Sequence, residues 1–314
     1  MFSLIRSNVR SLNSIRRTAL TLAFFAASAT SATSQAETFR GIDVKREGKG
    51  PAMIFIPGLN SSRATFTDTC AEFKAQYTCI LLTLPGFAGQ PPLKEVDAGF
   101  LVPMRDAILA YIAEQKIQQP VLVGHSLGGA LALMIAEEAP TVPKALVIVD
   151  SLPFFSAIQN PQATSLGVTP MAESMKKQML EQPLEQYQKT AAQMAVMGMS
   201  NQPARRATIV EWSQTSDRAT TTQAMFELMT TDLRERVGTV KTPTLVLGAW
   251  AAYKSFGSTE ESTKAIYVGQ YQKLKGVKIE MSDSAYHFIS WDDPKWLSAQ
   301  VQSFLKTLPK AQSK

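Results

Sequence analysis

The stretch of the sequence with the clearest chemical potential is residues 121–133, which read VLVGHSLGGALAL. Ser126 stands between Gly124 and Gly128 in a Gly-x-Ser-x-Gly pattern, after an apolar run typical of a strand and before a stretch typical of a buried helix. A serine on such a sharp strand-to-helix turn is held in a strained backbone conformation that exposes its hydroxyl, and small neighbours let the strand and the helix approach each other. The pattern therefore predicts that Ser126 is a nucleophile.

A serine nucleophile needs a general base, and the sequence contains two histidines, His125 and His287. His125 is adjacent to Ser126 on the turn, so we expect its ring to point away from the hydroxyl and to pack or hydrogen-bond elsewhere. His287 lies late in the chain, in the loop Ala285-Tyr286-His287-Phe288 after a predicted strand. His287 is therefore the predicted base.

Several motifs together resemble the α/β-hydrolase superfamily over residues 39–310. In chain order they are Pro57-Gly58-Leu59, Leu84-Pro85-Gly86-Phe87, Gly124-His125-Ser126-Leu127-Gly128 and the late His287. The resemblance implies a fold that carries a nucleophile after one strand, an acid after a later strand and a histidine near the C-terminus. Members include esterases, lipases, thioesterases, peptidases, acyltransferases and dehalogenases. A serine at position 126 argues against the relatives whose nucleophile is aspartate, namely dehalogenases and epoxide hydrolases.

The acid that would orient the histidine departs from the commoner pattern of these relatives. Most carry an aspartate just after the strand that here ends at Gly248, but the following residues 249–253 contain no carboxylate. Some relatives place the acid one strand earlier, and that strand ends here in Asp150. Asp150 is therefore the predicted acid, which would hold the imidazole in the correct tautomer and stabilise its protonated form. Three other carboxylates remain as alternatives: Glu260, Glu261 and Asp283.

The oxyanion hole is predicted from backbone positions. One N–H belongs to Leu127, directly after the nucleophile, and the resemblance places the second at Leu59, in the loop after the strand at 53–56. Relatives often have His-Gly where this chain has Pro57-Gly58, but a backbone donor does not depend on that side chain. Asn60-Ser61-Ser62 also matches a glycosylation sequon, although the geometry of this loop is the simpler reason for its composition.

The positioning elements are predicted from hydrophobic patterning. Short continuous apolar runs, typical of strands buried on both faces of a parallel sheet, occur at 53–56, 79–82, 121–123, 145–149 and 244–247. Helical stretches alternate with them, which predicts an α/β protein with a doubly wound, mostly parallel sheet. Residues 153–236 are rich in Met, Gln, Thr and Ala, lack a strand-like run, and are predicted to form an inserted helical cap. The core would then comprise residues 37–152 and 237–314.

The first 36 residues are typical of a targeting segment rather than of a folded domain. They carry Arg6, Arg10, Arg16 and Arg17, an apolar run at 19–27 and no acidic residue, and they end in Ser34-Gln35-Ala36. This pattern predicts a secretory signal peptide and an exported, periplasmic or secreted protein. An organelle transit peptide is the alternative. The formal charge is +6, but without this segment the chain is nearly neutral, so charge indicates no nucleic-acid partner.

Cys70 and Cys79 leave two alternatives open. In an exported protein they would form a disulfide that closes a short loop. Otherwise they are two buried thiols, one on a helix and one opening a strand. A structural zinc site is excluded, because two cysteines and two histidines do not provide a plausible ligand set.

The predicted function is hydrolysis of a carboxylic ester, or a related acyl bond, through an acyl-enzyme formed on Ser126, with no metal or organic cofactor. The alternatives are an acyltransferase that uses the same residues and a non-catalytic binding protein that retains the fold. Methionines in the cap favour a small-molecule substrate with an apolar acyl group: Met171, Met175, Met179, Met194, Met197 and Met199. Arg205-Arg206 would attract a carboxylate-bearing substrate or form an exposed, solvated pair.

Overall fold

A single sheet of eight strands runs through the part of the chain that the structure, a computed structural model, describes, residues 35–309. The strands are β1 (Gln35–Phe39), β2 (Ile42–Gly48), β3 (Ala52–Ile56), β4 (Thr78–Thr83), β5 (Val121–His125), β6 (Ala145–Val149), β7 (Thr244–Ala249) and β8 (Lys278–Ser282). Their order across the sheet is β1-β2-β4-β3-β5-β6-β7-β8. β2 pairs antiparallel with β1 and β4, and all other neighbours are parallel, which confirms the predicted mostly parallel sheet.

Ten α-helices accompany the sheet within residues 35–309. They are α1 (Thr67–Phe73), α2 (Leu101–Glu114), α3 (Leu127–Glu138), α4 (Ser165–Glu181), α5 (Leu184–Val196), α6 (Pro203–Thr215), α7 (Arg218–Thr230), α8 (Glu260–Tyr271), α9 (Ile289–Asp292) and α10 (Pro294–Lys306).

Helices cover both faces of the sheet, which is why its central strands read as continuous apolar runs. On one face α2, α3 and α8 pack against alternate strand residues such as Ile54, Leu122 and Leu146. On the other face α1 and α10 pack against the intervening residues, including Phe55 and Val123. Successive strand side chains point to opposite faces, so each strand contributes to both apolar clusters.

Strand register brings the carboxyl ends of β5, β6 and β7 to one edge of the sheet. His125 at the end of β5 pairs with Val149 at the end of β6, and Val149 in turn pairs with Leu247 of β7. Ser126 and Asp150 each follow their strand directly, so the topology places them side by side at this edge. The carboxyl edge of an open α/β sheet is where such folds bind ligands.

The segment between β6 and β7 contains four α-helices and no strand. We call residues 153–236 the cap. α4 packs on α7, and α5 packs on α6. Pro170 lies inside α4, in the second turn of that helix.

A tight hairpin joins β1 to β2. Phe39 ends β1 and Ile42 begins β2, and the two residues pair across a two-residue hairpin. Arg40 and Gly41 form this hairpin with φ of 48° and 85°. A two-residue hairpin with both φ values positive matches the twist of the flanking strands, but its usual Asn-Gly or Asp-Gly signature is missing here.

The two cysteines are buried free thiols. Cys70 lies on α1 and Cys79 on β4, and the Cys79 thiol lies 3.5 Å from the carbonyl oxygen of Cys70. This arrangement corresponds to the second of the two alternatives drawn from the sequence.

The predicted signal peptide lies outside the described residues, except that Gln35 and Ala36 form the start of β1. Among residues 35–309, no helix combines the length and apolar character needed to cross a bilayer.

The crossing of β5 and α3 depends on two glycines. A Cβ atom on Gly124 would lie 2.2 Å from the carbonyl oxygen of Gly128, and one on Gly128 would lie 2.1 Å from the carbonyl oxygen of Ile56. The atoms in the way belong to the backbone of β3 and α3, so a side-chain rotation cannot relieve the clash. The two glycines of the Gly-x-Ser-x-Gly pattern therefore let the helix sit directly on the sheet.

We predict that Gly128→Ala lowers the free energy of unfolding by more than about 3 kcal/mol, the upper end of ordinary overpacking, because the obstructing atoms are backbone. Gly269→Ala is the matched control, since Gly269 is also helical but has nothing within 4 Å of its would-be Cβ. It should stabilise the protein by about 0.5–1 kcal/mol. Urea unfolding of both variants measures the difference, and equal effects would contradict the close approach.

Candidate active site

Ser126 occupies a strained turn between β5 and α3. Its φ is 52° and its ψ is −121°, a region that side-chain-bearing residues rarely adopt. Its N–H donates to the carbonyl oxygen of Val149, 3.0 Å away, and its own carbonyl accepts from the N–H groups of Gly129 and Ala130. The turn is thus held by β6 on one side and by the first turn of α3 on the other. The Ser126 hydroxyl makes no hydrogen bond within residues 35–309, so its lone pairs and proton are uncommitted.

The loop after β3 lies directly against this turn. A Cβ atom on Gly58 would lie 3.1 Å from the Cβ of Ser126, a tight contact, so the loop approaches the turn closely. The N–H groups of Leu59 in this loop and of Leu127 after the serine have no hydrogen-bond partner in the described part of the chain. Buried backbone N–H groups are rarely left unpaired in native structures. The two predicted oxyanion-hole donors therefore flank the serine with free N–H groups.

His287 lies in the loop between β8 and α9 and is hydrogen-bonded to Asp150. Its Nδ1 lies 2.6 Å from Asp150 Oδ2. The side chain of His287 is 25% exposed and that of Asp150 is 12% exposed, so the ring is reachable from solvent while the carboxylate is largely covered. A carboxylate partner places a proton on Nδ1 and leaves the lone pair on Nε2. The structure thus brings together the predicted base and the predicted acid.

The second oxygen of Asp150 is also fully engaged. Asp150 Oδ1 accepts from the N–H of Ala249 at 2.9 Å and from the hydroxyl of Tyr267 at 2.6 Å. The end of β7, after which the resemblance expects an acid, thus contributes a backbone donor to Asp150. Asp150 itself has φ of 47° and donates its N–H to Leu247 at 2.7 Å.

Tyr267 on α8 also belongs to the hydrogen-bond network of Asp150, and no sequence motif marks it. It is 5% exposed, and burial together with the adjacent Asp150 carboxylate raises the pKa of its hydroxyl well above the ordinary value. The hydroxyl therefore stays protonated and remains a donor to Asp150. One signal was present, since Tyr267 and Tyr271 lie one turn apart on the helix after the strand that lacks an acid. Tyr271 donates to the carbonyl of Ser151 at 2.8 Å.

The alternative acids do not contact His287. Glu260 and Glu261 are exposed in the first turn of α8, where a negative charge interacts favourably with the helix dipole. Asp283 is exposed at the end of β8. Within residues 35–309, none of the three makes a hydrogen bond to the ring.

His125 has the packing and hydrogen-bonding position expected of it. It is 1% exposed, and its Nε2 lies 3.0 Å from the carbonyl oxygen of His287, which can only accept. The Nε2 atom therefore carries the proton. The two imidazole rings lie 4.5 Å apart between centroids. Complete burial, and secondarily the nearby His287, hold the pKa of His125 well below its ordinary value, so the ring is neutral.

The cap holds the loop that carries His287. The N–H of His287 donates to the carbonyl of Gly198 at 3.1 Å, in the link between α5 and α6. The Asp292 carboxylate accepts from the Ser200 hydroxyl at 2.6 Å and from the N–H of Tyr286 at 2.9 Å, so it ties the same link to the loop from the other side. No sequence motif predicts these contacts, because they join residues that are far apart in the chain.

Some of the residues predicted to contact substrate are packed or paired within the protein, and others are exposed. Arg205 pairs with Asp68 at 2.6 Å at the surface and lies over the ring of Trp291. Among the six cap methionines, Met199 packs against the apolar cluster beside the His287 loop, while Met194 and Met197 are exposed.

The neutral, buried state of His125 predicts a pH-dependent stability. The unfolded chain takes up a proton near pH 6.5 and the folded chain does not, so stability is complete above that pH and falls below it. Between pH 7.5 and 5.5 the free energy of unfolding of the wild type should fall by about 1.4 kcal/mol more than that of His125→Gln. The amide of the glutamine replaces the N–H donor of the His125 ring. Urea unfolding at both pH values measures this, and parallel losses in the two proteins would contradict it.

This chain is similar in sequence to known hydrolases. Residues 53–300 match the model of the alpha/beta hydrolase family. The chain is 32% identical over 116 residues to a pimeloyl-(acyl-carrier protein) methyl ester esterase of Aeromonas salmonicida, covering 37% of this chain and 44% of that protein. It is 27% identical over 213 residues to the esterase of the same name from Shewanella oneidensis, covering 65% and 74%. The match thus spans less than half of the Aeromonas protein.

Solved structures share the fold at low sequence identity. An enol-lactonase from Burkholderia xenovorans superposes with a TM-score of 0.69 at 14% identity, covering 87% of this chain and 100% of that one. An esterase from Exiguobacterium antarcticum superposes with a TM-score of 0.68 at 16% identity, covering 85% and 96%. With a strained serine turn, a histidine–aspartate pair and a family match across most of its length, this chain belongs to the α/β hydrolase family.

Proposed function

We propose that this protein is a serine hydrolase that cleaves a carboxylic ester through an acyl-enzyme intermediate. The hydrogen bond between His287 and Asp150, beside the strained turn of Ser126, is the observation that carries the proposal. That pairing gives the imidazole one protonated nitrogen and one free lone pair at the carboxyl edge of the sheet. A non-catalytic binding protein would have no need for it. The esterases among the relatives support the same chemistry.

Acylation begins when His287 Nε2 takes the proton of the Ser126 hydroxyl. The serine oxygen then attacks the ester carbonyl carbon, and the carbonyl oxygen becomes an oxyanion. The free N–H groups of Leu59 and Leu127 donate to this oxyanion, and they cost little reorganisation because the loop and the helix already hold them. The intermediate collapses with loss of the alcohol, which leaves with the proton from His287.

Deacylation repeats these roles with water. His287 takes a proton from the water, whose oxygen attacks the acyl carbon, and the second tetrahedral intermediate is held by the same two N–H groups. Its collapse releases the carboxylic acid and returns the proton to Ser126. An alcohol or amine in place of water would give acyl transfer, so product analysis with an added acceptor distinguishes the two outcomes.

Asp150 orients His287 and stabilises the imidazolium that forms in each step. Tyr267 and Ala249 satisfy its other oxygen, so the carboxylate keeps one orientation toward the ring. A buried carboxylate without such donors would be strongly disfavoured as an anion. We therefore assign the three residues Ser126, His287 and Asp150 to the catalytic machinery, with Tyr267 as a residue that positions Asp150.

The substrate is proposed to be a small-molecule ester with an apolar acyl group. The esterase names of the relatives support an ester. The exposed side chains of Met194 and Met197, next to the Gly198 link that contacts the His287 loop, support the apolar acyl group. A panel of nitrophenyl esters of increasing acyl length defines the preferred chain.

We also propose that the protein is exported and that its N-terminal segment is removed after Ala36. The arginines, the apolar run and the small residues before Glu37 support this. Expression in a bacterial host followed by mass measurement of the periplasmic protein should give a chain that begins at Glu37. Full-length protein retained in the cytoplasm would contradict it.

Removing the charge of Asp150 tests the catalytic assignment. Asp150→Asn should lower kcat by about 10⁴-fold, because the imidazole loses its correct tautomer and its counter-charge. Glu260→Gln is the matched control, since it neutralises an alternative acid that is exposed on α8, and it should leave kcat within about twofold, since surface substitutions of this kind have small effects. Steady-state hydrolysis of a nitrophenyl ester measures both, and near-normal turnover in Asp150→Asn would show that the assignment is wrong.

A further inference from the structure

The turn after β3 sets the direction of one proposed oxyanion-hole donor. The N–H of Ser61 donates to the carbonyl oxygen of Gly58 at 3.1 Å, and Asn60, the third residue of the turn, has φ of 58°. These are the marks of a type II turn. The carbonyl of Gly58 and the N–H of Leu59 belong to one planar peptide group, so fixing the carbonyl also fixes the N–H. Whatever holds this turn therefore aims the Leu59 donor.

A cap helix holds the turn from outside the core. The hydroxyl of Thr221, on α7, donates to the side-chain oxygen of Asn60 at 2.6 Å. Thr221 is 4% exposed, so water does not compete for this bond. Of the ordinary residues, asparagine is among those that best tolerate the left-handed conformation. Glycine would adopt it with less strain but would offer no group to α7.

The start of α7 is itself anchored to the core. The N–H of Asp217 donates to the carbonyl of Gly86 at 2.7 Å, and the Asp217 carboxylate caps the helix by accepting from the N–H of Thr220 at 2.8 Å. A Cβ atom on Gly86 would lie 2.5 Å from the Thr220 hydroxyl, so the loop after β4 sits tightly on the helix. Thr221 is the next residue of α7, so the anchored start of this helix also fixes its position beside Asn60.

We propose that Thr221 is a positioning residue of the oxyanion hole, which acts from the cap through the side chain of Asn60 on the Gly58–Leu59 peptide group. The inference rests on the proposed hydrolase function and adds a role for the cap in transition-state stabilisation. It also explains why an asparagine stands at position 60 without invoking the glycosylation sequon. With its side-chain oxygen bonded to a buried helix, Asn60 faces the protein interior.

The chain provides a closely matched control at the next position. Thr222 is 1% exposed, lies on the same helix, and its hydroxyl has no hydrogen-bond partner within residues 35–309. Thr221→Val and Thr222→Val therefore make the same chemical change at neighbouring buried positions. They differ in whether a bond to the turn is lost.

The experiment measures hydrolysis of p-nitrophenyl butyrate and inhibition by a trifluoromethyl ketone, with active sites counted by fluorophosphonate titration. Thr221→Val should lower kcat about tenfold, less than the about 10²–10³ for outright loss of a donor, with KM within about twofold. Affinity for the ketone, whose adduct carries an oxyanion, should fall by the same factor. Thr222→Val should match the wild type, and Thr221→Ser, which keeps the hydroxyl, should restore kcat.

Repeating the Thr221 substitution in a variant of Asn60 tests whether Thr221 acts through the Asn60 side chain. Asn60→Gly keeps a turn that accepts positive φ but removes the acceptor, so Thr221→Val should cause no further loss of kcat in it. An equal loss in both backgrounds, or kcat and ketone affinity of Thr221→Val equal to those of Thr222→Val, would overturn the inference and leave the hydrolase function standing. A folded wild type without esterase activity would instead overturn both.

Discussion

The site depends on the carboxylate of Asp150, which three separate elements share. One oxygen receives the His287 ring from the loop after β8, and the other receives the Ala249 N–H at the end of β7 and the Tyr267 hydroxyl from α8. A largely buried anion is tolerated when its oxygens are hydrogen-bonded, and here the donors are a backbone group, a phenol and the imidazole of His287. Removing the carboxylate would disorient the ring and leave the Tyr267 hydroxyl buried without its acceptor.

The position of Asp150 directly after β6 also ties it to Ser126, the proposed nucleophile. The N–H of Ser126 bonds to Val149, the residue before Asp150, so the serine turn and the proposed acid share the end of one strand. His287, the proposed base, lies far along the chain and is held by contacts of its own. His125 holds the His287 carbonyl from below, and the cap holds its N–H through Gly198. The cap is therefore part of the geometry of the site.

Much of this arrangement was predictable because its signals are local. Buried parallel strands read as short apolar runs, and a serine turn needs small neighbours at fixed spacing, so β3 to β7 and the positions of Ser126 and His287 follow from nearby residues. Asp150 followed from an absence, since residues 249–253 contain no carboxylate. Tyr267, Gly198 and Thr221 could not be predicted in the same way, because each acts through a contact with a residue distant in sequence. The hairpin at Arg40 could not be predicted, because Arg40 has a positive φ and this position of a two-residue turn is usually Asn, Asp or Gly.

Reaction of the folded protein with a fluorophosphonate, followed by peptide mass spectrometry, tests the central claim that Ser126 is the activated nucleophile of a serine hydrolase. The reagent phosphonylates a serine that has a base to take its proton and donors to hold the developing oxyanion. We predict a single adduct on Ser126 in the wild type and none in Ser126→Ala. A folded wild type that stays unmodified, or an adduct on another residue that persists in Ser126→Ala, would contradict the claim.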